Sequence, residues 1–171
     1  IGMYDGVHLG HQMILNKLKK KVRKEGSTVV LTFSNHPSTL FTPNSPAPQI
    51  TSLSHRLKLL ETHGIDVAVV LPFDQDFARQ SYEAFFGFLR TYLPFDYLIV
   101  GEDARFGKGR SGGPDQIHKL GWSTEYLLKE TYHKETISSG TILRHLEERD
   151  LKKVKKMLGR PYSILLPFDQ G

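Results

Sequence analysis

The chain has 171 residues, of which 39% are apolar and 24% charged, and a formal net charge of +5. This length suits one ordinary domain, and the composition is typical of a globular protein rather than a disordered one. There is no cysteine, which excludes disulfides, thiolate catalysis and cysteine-bound zinc and favours a reducing cytoplasm. No apolar run approaches the roughly 20 residues that a membrane-spanning helix needs, so we expect no membrane partner.

Much of the positive charge lies in one stretch, residues 17–26, which reads KLKKKVRKEG. Such a stretch can bind nucleic acid or phosphorylated molecules, but it more often forms the solvated face of a helix. It contains no aromatic residue that could stack on a base. We therefore expect no nucleic-acid partner.

Strand-like and helix-like segments alternate along the chain. Continuous apolar runs rich in β-branched residues predict strands at 27–33, 66–73 and 96–102, with a weaker fourth at 123–130. Helical spacing of apolar residues predicts helices at 10–24, 53–63, 81–93, 139–148 and 151–158. A Pro-rich segment predicts an irregular, mobile loop at 42–50. This alternation predicts an α/β fold, with a parallel sheet that carries helices on both faces and binds ligands beyond the carboxyl ends of its strands.

The third predicted helix carries an aromatic stripe. Phe85, Phe88 and Leu89 recur at helical spacing in the run SYEAFFGFLRTYL. Such a stripe is more typical of a core-facing surface than of a cofactor site. We therefore expect these three side chains to be buried.

The first residue is Ile1, and Gly2 stands directly before a loop that leads into a helix. A parallel sheet would place a strand just before such a loop. We therefore expect the chain to start inside a longer protein that supplies this strand, and the lack of a targeting signal proves little.

The first motif, IGMYDGVHLGHQMIL, fills residues 1–15. Its glycines let backbone and ligand approach closely, and its two histidines, His8 and His11, are three residues apart at the predicted start of a helix. Helix starts attract phosphate, and two imidazoles there can donate hydrogen bonds to a phosphorus centre as negative charge builds up. The alternatives are an ordinary loop or half of a metal site, although HExxH is absent.

Two further motifs follow predicted strands. In LTFSNHPSTLF, residues 31–41, Asn35 and Pro37 indicate a tight turn. In VGEDARFGKGRSGG, residues 100–113, Asp103 ends a strand, where its carboxylate could reach a ribose hydroxyl. The basic, glycine-rich segment that follows could fold over phosphates or be a flexible surface loop, and it matches GxGxxG only weakly and the Walker pattern not at all.

The fourth motif is TISSGTILRHLEE, residues 136–148. In isolation, Ser138 and Ser139 before a helix are more typical of a helix cap than of a binding site. The interpretation as a binding site depends on the other three motifs, considered together with this one.

In order and spacing, the four motifs resemble those of the bacterial FAD synthetases, the FMN adenylyltransferase domain of bifunctional riboflavin kinase/FAD synthetases, within the HxGH nucleotidylyltransferase superfamily. The first resembles GxFDGxHxGH, with Tyr4 in place of Phe. The second resembles TFxxHP, a loop near the flavin. The third resembles GxDFxFGxxRxG, with Ala104 in place of the first Phe.

The fourth motif departs most from the family pattern, SSTxIR. Gly140 stands at the Thr position and Leu143 at the Arg position, with Arg144 one residue later. One step turns a helix by about 100°, so Arg144 would point elsewhere unless the backbone shifts. Alternatively, one inserted residue lets Thr141 and Arg144 restore the pattern with altered spacing.

The resemblance implies a Rossmann-like, doubly wound parallel sheet of the HUP type in three αβα layers. Residues 1–158 would form the FMN adenylyltransferase domain. Residues 159–171, which begin in the LGRPY segment, would be a linker toward a riboflavin kinase domain that this chain does not include. The implied reaction moves AMP from ATP to the phosphate of FMN, which gives FAD and pyrophosphate, with Mg²⁺ carried by ATP and no metal held by the protein alone.

The resemblance also implies roles for particular residues. His8 and His11 would stabilise the pentacoordinate phosphorus, while Ser138, Ser139 and Arg144 would hold the β- and γ-phosphates. The substrate-binding residues it implies are Gly2, Tyr4, Asp5, Gly6, Gly10, Asn35, His36, Pro37, Gly101, Asp103, Phe106, Gly107, Arg110 and Thr141.

Three rival functions stay open on the sequence. The first is another HxGH nucleotidylyltransferase that uses a different phosphorylated acceptor. The second is a flavin- or nucleotide-binding module without catalysis, which the departures at Ala104, Gly140 and Arg144 leave room for. The third is a basic RNA-binding domain, whose affinity for RNA would depend strongly on salt.

Overall fold

The structure, a computed structural model, describes residues 1–166. Its helices are α1 Leu9–Lys21, α2 Ser38–Phe41, α3 Leu53–Thr62, α4 Gln75–Arg79, α5 Tyr82–Tyr92, α6 Pro114–Lys119, α7 Ser139–Glu147 and α8 Leu151–Leu158. Its strands are β1 Val29–Phe33, β2 Val67–Leu71, β3 Leu98–Gly101, β4 Thr124–Leu127, β5 Thr131–Tyr132 and β6 Glu135–Thr136. All four predicted strands and all five predicted helices are present, with small shifts at their ends. The short helices α2, α4 and α6 and the β5–β6 hairpin were not predicted.

The four longer strands form two parallel pairs. β1 pairs with β2 from Val29 opposite Val67, and β3 pairs with β4 from Leu98 opposite Thr124. The start of the chain runs beside β1, because the Gly2 amide donates to the Leu31 carbonyl at 3.0 Å. The protein therefore has the mixed α/β fold with parallel strands that the sequence predicts.

One apolar cluster joins the two pairs. Leu31 of β1 packs with Leu98 and Val100 of β3 and with aromatic side chains of α5. The stripe on α5 is partly wrong as predicted, because Phe86 is buried while Phe88 is 49% exposed. Phe86 therefore faces the core together with Phe85 and Leu89. The spacing of apolar residues alone does not decide between Phe86 and Phe88.

Helix starts are fixed by short polar side chains. Ser52, Ser81, Ser138 and Asp150 each accept a hydrogen bond from a backbone amide of the first turn that follows them. α8 ends at Gly159, whose φ of +71° is left-handed and suits glycine. The Pro-rich segment 42–50 is irregular, as predicted. Residues 1–166 contain no helix that is both long and apolar enough to cross a membrane.

Candidate active site

The segment from Tyr4 to His11, here called the histidine loop, holds its histidines on a strained turn. Tyr4 and Val7 have φ of 51° and 39°, a left-handed conformation that is rare for residues other than glycine. Gly6, with φ of 74°, has no room for a side chain, since a Cβ there would lie 2.9 Å from Ile50. Strain of this kind costs on the order of 1–3 kcal/mol per residue and persists only where the surroundings impose it.

Asp5 ties this turn to the segment before α3. Its buried carboxylate accepts hydrogen bonds from the amides of Ile50 at 2.8 Å and Thr51 at 2.9 Å, and from the Thr51 hydroxyl at 2.9 Å. The Thr51 hydroxyl oxygen in turn accepts from the Gly6 amide at 3.0 Å. Asp5 therefore holds the histidine loop in its strained conformation.

The two imidazoles stack on each other at the start of α1. Their ring centroids are 3.7 Å apart, with 19° between the planes, and the Tyr4 ring lies 5.0 Å from that of His11. His8 is the N-cap of α1, because its Nδ1 accepts from the His11 amide at 3.4 Å. An imidazole that accepts at Nδ1 carries its proton on Nε2 when neutral, so His8 can donate from Nε2 to a ligand.

Both imidazoles are held in the neutral form. Burial lowers the pKa of His8 to about 4, and the positive charge of Arg160 adds to this effect while Asp5 opposes it. The pKa of His11 is well below its usual range, chiefly through burial and then through His8 and Arg56. An arriving phosphate would supply negative charge and favour donation from both rings.

The serine turn, Ser138–Thr141, faces the histidine loop. The Ser138 hydroxyl oxygen accepts from the Thr141 amide at 3.1 Å and lies 2.9 Å from the Thr141 hydroxyl, so it caps α7. The Ser139 hydroxyl donates to the Asp5 carbonyl at 3.1 Å. The turn is therefore attached directly to the histidine loop.

Arg144, predicted to hold phosphates, points elsewhere. Its guanidinium pairs with Glu135 and with Glu148, the latter at 3.1 Å, and it does not line the cavity. His145 beside it is buried and contacts the same two carboxylates, at 2.8 and 3.0 Å. The one-residue displacement thus places the arginine in a surface ion-pair network, for the reason that the helical turn of about 100° predicts.

The glycine loop, residues 101–113, forms the opposite side. Phe106 is buried, and its backbone pairs with Gly112, so the loop folds back on itself. Asp103 pairs with Lys129 at 2.7 Å. Partial burial raises the pKa of Asp103, but the hydrogen bond and charge of Lys129 outweigh this and lower it. Gly107 passes so close to Tyr82 and Ser81 that a side chain there would collide with their backbone.

Four aromatic side chains, called here the aromatic wall, form an apolar part of the site. Phe33 lies 5.6 Å from Phe73 and 5.3 Å from Phe77, and Phe41 lies 6.0 Å from Phe73, measured between ring centroids. Asn35 fixes this wall, because its side chain donates to the Phe73 carbonyl and accepts from the Phe73 amide.

One cavity of about 1220 Å³ joins these parts. Of the residues that the sequence singled out, those that line it are Gly2, Tyr4, His8, Gly10, His11, Pro37, Gly101, Asp103, Phe106, Gly107, Arg110, Ser138 and Ser139. Those that do not line it are Asp5, Gly6, Asn35, His36, Thr141 and Arg144. The His36 imidazole contacts the Ser38 hydroxyl at 2.7 Å and thus helps to shape the turn beside the cavity.

Sequence reasoning missed several residues of the site. Phe73 and Phe77 carry no motif, although Phe73 is the last residue of a predicted strand and Phe77 follows that strand, where ligand-facing loops are expected. Arg56 is fully buried and donates to the Phe33 carbonyl at 2.8 Å beneath the site. An isolated arginine in an amphipathic helix gives no local signal of such burial.

An α/β domain whose parallel strands lead to a cavity lined by imidazoles, hydroxyls and cations has the arrangement that is typical of the nucleotide-handling class of protein. The chain belongs to the FAD synthetase family, whose sequence model matches residues 1–141. This agrees with the resemblance seen in the four motifs.

Several curated relatives carry the description bifunctional riboflavin kinase/FMN adenylyltransferase. The protein of Buchnera aphidicola subsp. Schizaphis graminum is 32% identical over 96% of this chain and 55% of that protein. The protein of Escherichia coli strain K12 is 31% identical over 96% and 54%, and that of Listeria monocytogenes 29% over 95% and 54%. The chain therefore spans about half the length of the curated relatives it matches.

A solved structure shares the fold. The crystal structure of the macrolide-efflux protein from Streptococcus pneumoniae superposes with a TM-score of 0.87 at 25% identity, over 95% of this chain and 56% of that one. The likeness shows that the arrangement of helices and strands described above also occurs in an experimental structure.

Proposed function

We propose that this domain transfers AMP from ATP to the phosphate of FMN. An oxygen of the FMN phosphate attacks the α-phosphorus of ATP, a new P–O bond forms, and the bond to the β-phosphate oxygen breaks to release pyrophosphate. The observation that carries the proposal is that a neutral imidazole pair, an aromatic wall and a basic glycine loop all line one cavity. The aromatic wall suits a flavin ring, and the basic glycine loop suits a triphosphate.

The imidazole pair would act on the reacting phosphorus. His8 and His11 are neutral donors at the start of a helix, where backbone amides also favour negative charge. Donors that are already in place stabilise charge as it develops in the transition state, without a reorganisation cost. No covalent intermediate is required, so positioning and electrostatics carry the catalysis.

The glycine loop would hold the triphosphate. Arg105, Lys108 and Arg110 are exposed side chains at the edge of the cavity. The two arginines donate to backbone carbonyls of their own loop, and a phosphate oxygen could replace those acceptors. Ser138 and Ser139 add hydroxyls from the other side. Arg110 takes the role first expected of Arg144, whose guanidinium is already paired with two glutamates. Mg²⁺ would enter as part of the MgATP substrate, since it prefers to bind through phosphates and water.

The aromatic wall would hold the isoalloxazine ring. Phe33, Phe73 and Phe77 are only partly buried, and Phe41 is 66% exposed. Aromatic rings prefer offset-stacked or edge-on contacts at centroid distances of roughly 4.5–7 Å, which the spacing of this wall would allow with a flat ligand. This favours a flavin over a small apolar acceptor.

We extend the proposal to the rest of the architecture. The two parallel pairs would belong to one Rossmann-like doubly wound sheet, a view supported by the apolar cluster that they share. Residues 1–158 would be the catalytic domain, and residues 159–171, of which 167–171 lie outside the described part, would lead to a riboflavin kinase domain, as in the bifunctional relatives. The cysteine-free chain suits a reducing cytoplasm.

The test is FAD formation with pyrophosphate release from ATP, Mg²⁺ and a panel of acceptors, namely FMN, riboflavin, nicotinamide mononucleotide and pantetheine phosphate. Among these acceptors, only FMN should give a dinucleotide and pyrophosphate, and the two products should form in equal amounts. Faster turnover with another phosphate acceptor would replace the proposal by a different nucleotidyl transfer. Tight binding of FMN and ATP without pyrophosphate release would indicate a non-catalytic module.

A matched pair of variants tests the assignment of the triphosphate site. R110M should raise the KM for ATP several-fold, because it removes a cation from the cavity edge. R144M should leave that KM unchanged, because Arg144 lies outside the cavity. The reverse pattern would show that α7 shifts on binding and restores the arginine of the family motif.

A further inference from the structure

Arg160, in the segment after α8, reaches back to the histidine loop. Its Nη2 donates to the Gly6 carbonyl at 2.7 Å, and its Nη1 lies 3.4 Å from the carbonyls of both Val7 and Leu158. Its Nε is buried without a hydrogen-bond partner in the described part of the chain. The guanidinium is therefore committed to the backbone of the turn and does not line the cavity.

Gln12 makes the same connection from α1. Its side-chain amide donates to the Val7 carbonyl at 2.8 Å and to the Leu158 carbonyl at 2.9 Å. The Val7 and Leu158 carbonyls are thus each shared between Gln12 and Arg160. The end of α8 and the turn before α1 are joined as one unit.

The backbone next to Arg160 packs closely against the start of α1. Gly159 has a φ of +71°, and a Cβ there would lie 2.8 Å from Leu9 at the start of α1. The segment therefore passes directly over the first turn of the helix that His8 caps. A shift of residues 159–160 would have to move that first turn.

The strained turn needs such external support. Tyr4 and Val7 hold left-handed φ angles that relax unless neighbouring groups prevent it. Asp5 holds one side through Thr51. The Gly6 and Val7 carbonyls lead to His8, and in the described residues their side-chain donors are Gln12 and Arg160. These are the peptide groups that set the direction of the His8 ring.

We propose that Arg160 is a positioning residue for adenylyl transfer, which acts by fixing the Gly6 and Val7 carbonyls and thereby the orientation of His8. The inference rests on the proposed function. It adds that the C-terminal segment of the domain is part of the catalytic framework, so that movement of this segment changes turnover without touching a substrate.

The test compares R160M, R160K and R23M, the last an exposed arginine that serves as the control for the same substitution. R160M should lower kcat for FAD formation by roughly 10- to 100-fold, as misplacement of a reacting group by about an ångström does. The KM values for ATP and FMN should change by less than about twofold, because no ligand contact is lost. R160K should fall between R160M and the wild type, and R23M should match the wild type.

A second measurement is independent of turnover. The positive charge of Arg160 is one cause of the low pKa of His8. In an NMR titration, R160M should therefore raise the pKa of His8, whereas R160K and R23M should leave it close to the wild-type value. A substitution that only lowered stability would not move this titration.

The outcomes separate the two proposals. A wild-type protein that forms no FAD would refute the proposed function, and this inference with it. An active wild type together with a folded R160M of unchanged kcat and unchanged His8 titration would refute the inference alone. If R160M does not fold, R160K decides: reduced kcat at near-native melting temperature supports the inference, and full turnover overturns it.

Discussion

The histidine loop and the glycine loop face each other across one cavity but are built in opposite ways. In the histidine loop, Asp5, Val7 and His8 are at most 6% exposed, and three successive carbonyls are bound by other side chains. In the glycine loop, the buried Phe106 ring and the close approach of Gly107 to Tyr82 hold the backbone. The side chains of Lys108 and Arg110 are nevertheless exposed. Under the proposed function, the groups that would meet the transition state are fixed by buried contacts, whereas the side chains that would receive a flexible triphosphate are exposed. The difference shows how one cavity combines rigid donors with adaptable cations.

The sharpest way to break this comparison is to remove a fixed donor. His11→Ala should lower kcat by roughly 100- to 1000-fold, since loss of one preorganised donor costs about that much. Steady-state kinetics of FAD formation, with thermal melting to verify folding, would show it. In the glycine loop, the corresponding variant Lys108→Ala should mainly raise the KM for ATP. Unchanged FAD formation by a folded His11→Ala protein would remove the proposed mechanism.

A second prediction compares the two aspartates. Asp5→Ala should destabilise the fold by about 3 kcal/mol, because it leaves two buried amides and a hydroxyl without an acceptor. Asp103→Ala should cost less than about 1 kcal/mol, because it breaks only an exposed ion pair with Lys129. Urea unfolding at pH 7 measures both. Equal losses would mean that the two loops do not differ in rigidity as described.

A third prediction concerns pH. His8 has a folded pKa of about 4, below its unfolded value of 6.5, so its contribution is present above pH 6.5 and is lost as the pH falls toward 4. This should remove about 2 kcal/mol of stability between pH 7 and pH 4.5. His8→Asn keeps a cap acceptor but does not titrate, so its stability should fall less over the same range. Parallel pH profiles for the two proteins would show that His8 is not buried and neutral.

A last comparison concerns two glycines of the glycine loop. Gly107→Ala should cost at least about 2 kcal/mol, because its φ of +70° is strained for alanine and its Cβ would collide with the backbone of Tyr82. Gly109→Ala, with φ of +64° and no neighbour within 4 Å, should cost only about 1 kcal/mol. Thermal unfolding of the two variants gives the comparison. A larger loss for Gly109→Ala would indicate that the loop packs differently.

The sequence predicted local features, such as helix and strand positions, better than features that depend on tertiary packing. The helix and strand positions follow from local periodicity and capping, as at Ser138, and the structure contains all of those predicted. The α5 stripe was partly wrong, because Phe86 and Phe88 lie about 200° apart around one helix and only the neighbouring strands decide which is buried. Arg144 had two possible alignments on sequence, and the pairing with Glu135 and Glu148 selects the one that leaves it outside the cavity.

The sequence by itself determined the longer helices and strands, the parallel pairing, the family and the four segments that carry chemistry, because these depend on residue order over short distances. Only the tertiary structure decided which side chains face the ligand and which hold the others in place. Asp5, Asn35 and Arg160 stand in or near motifs, yet they bind backbone groups between 38 and 154 positions away along the chain. Such partners are brought together by the packing of the whole domain, and no local pattern records them.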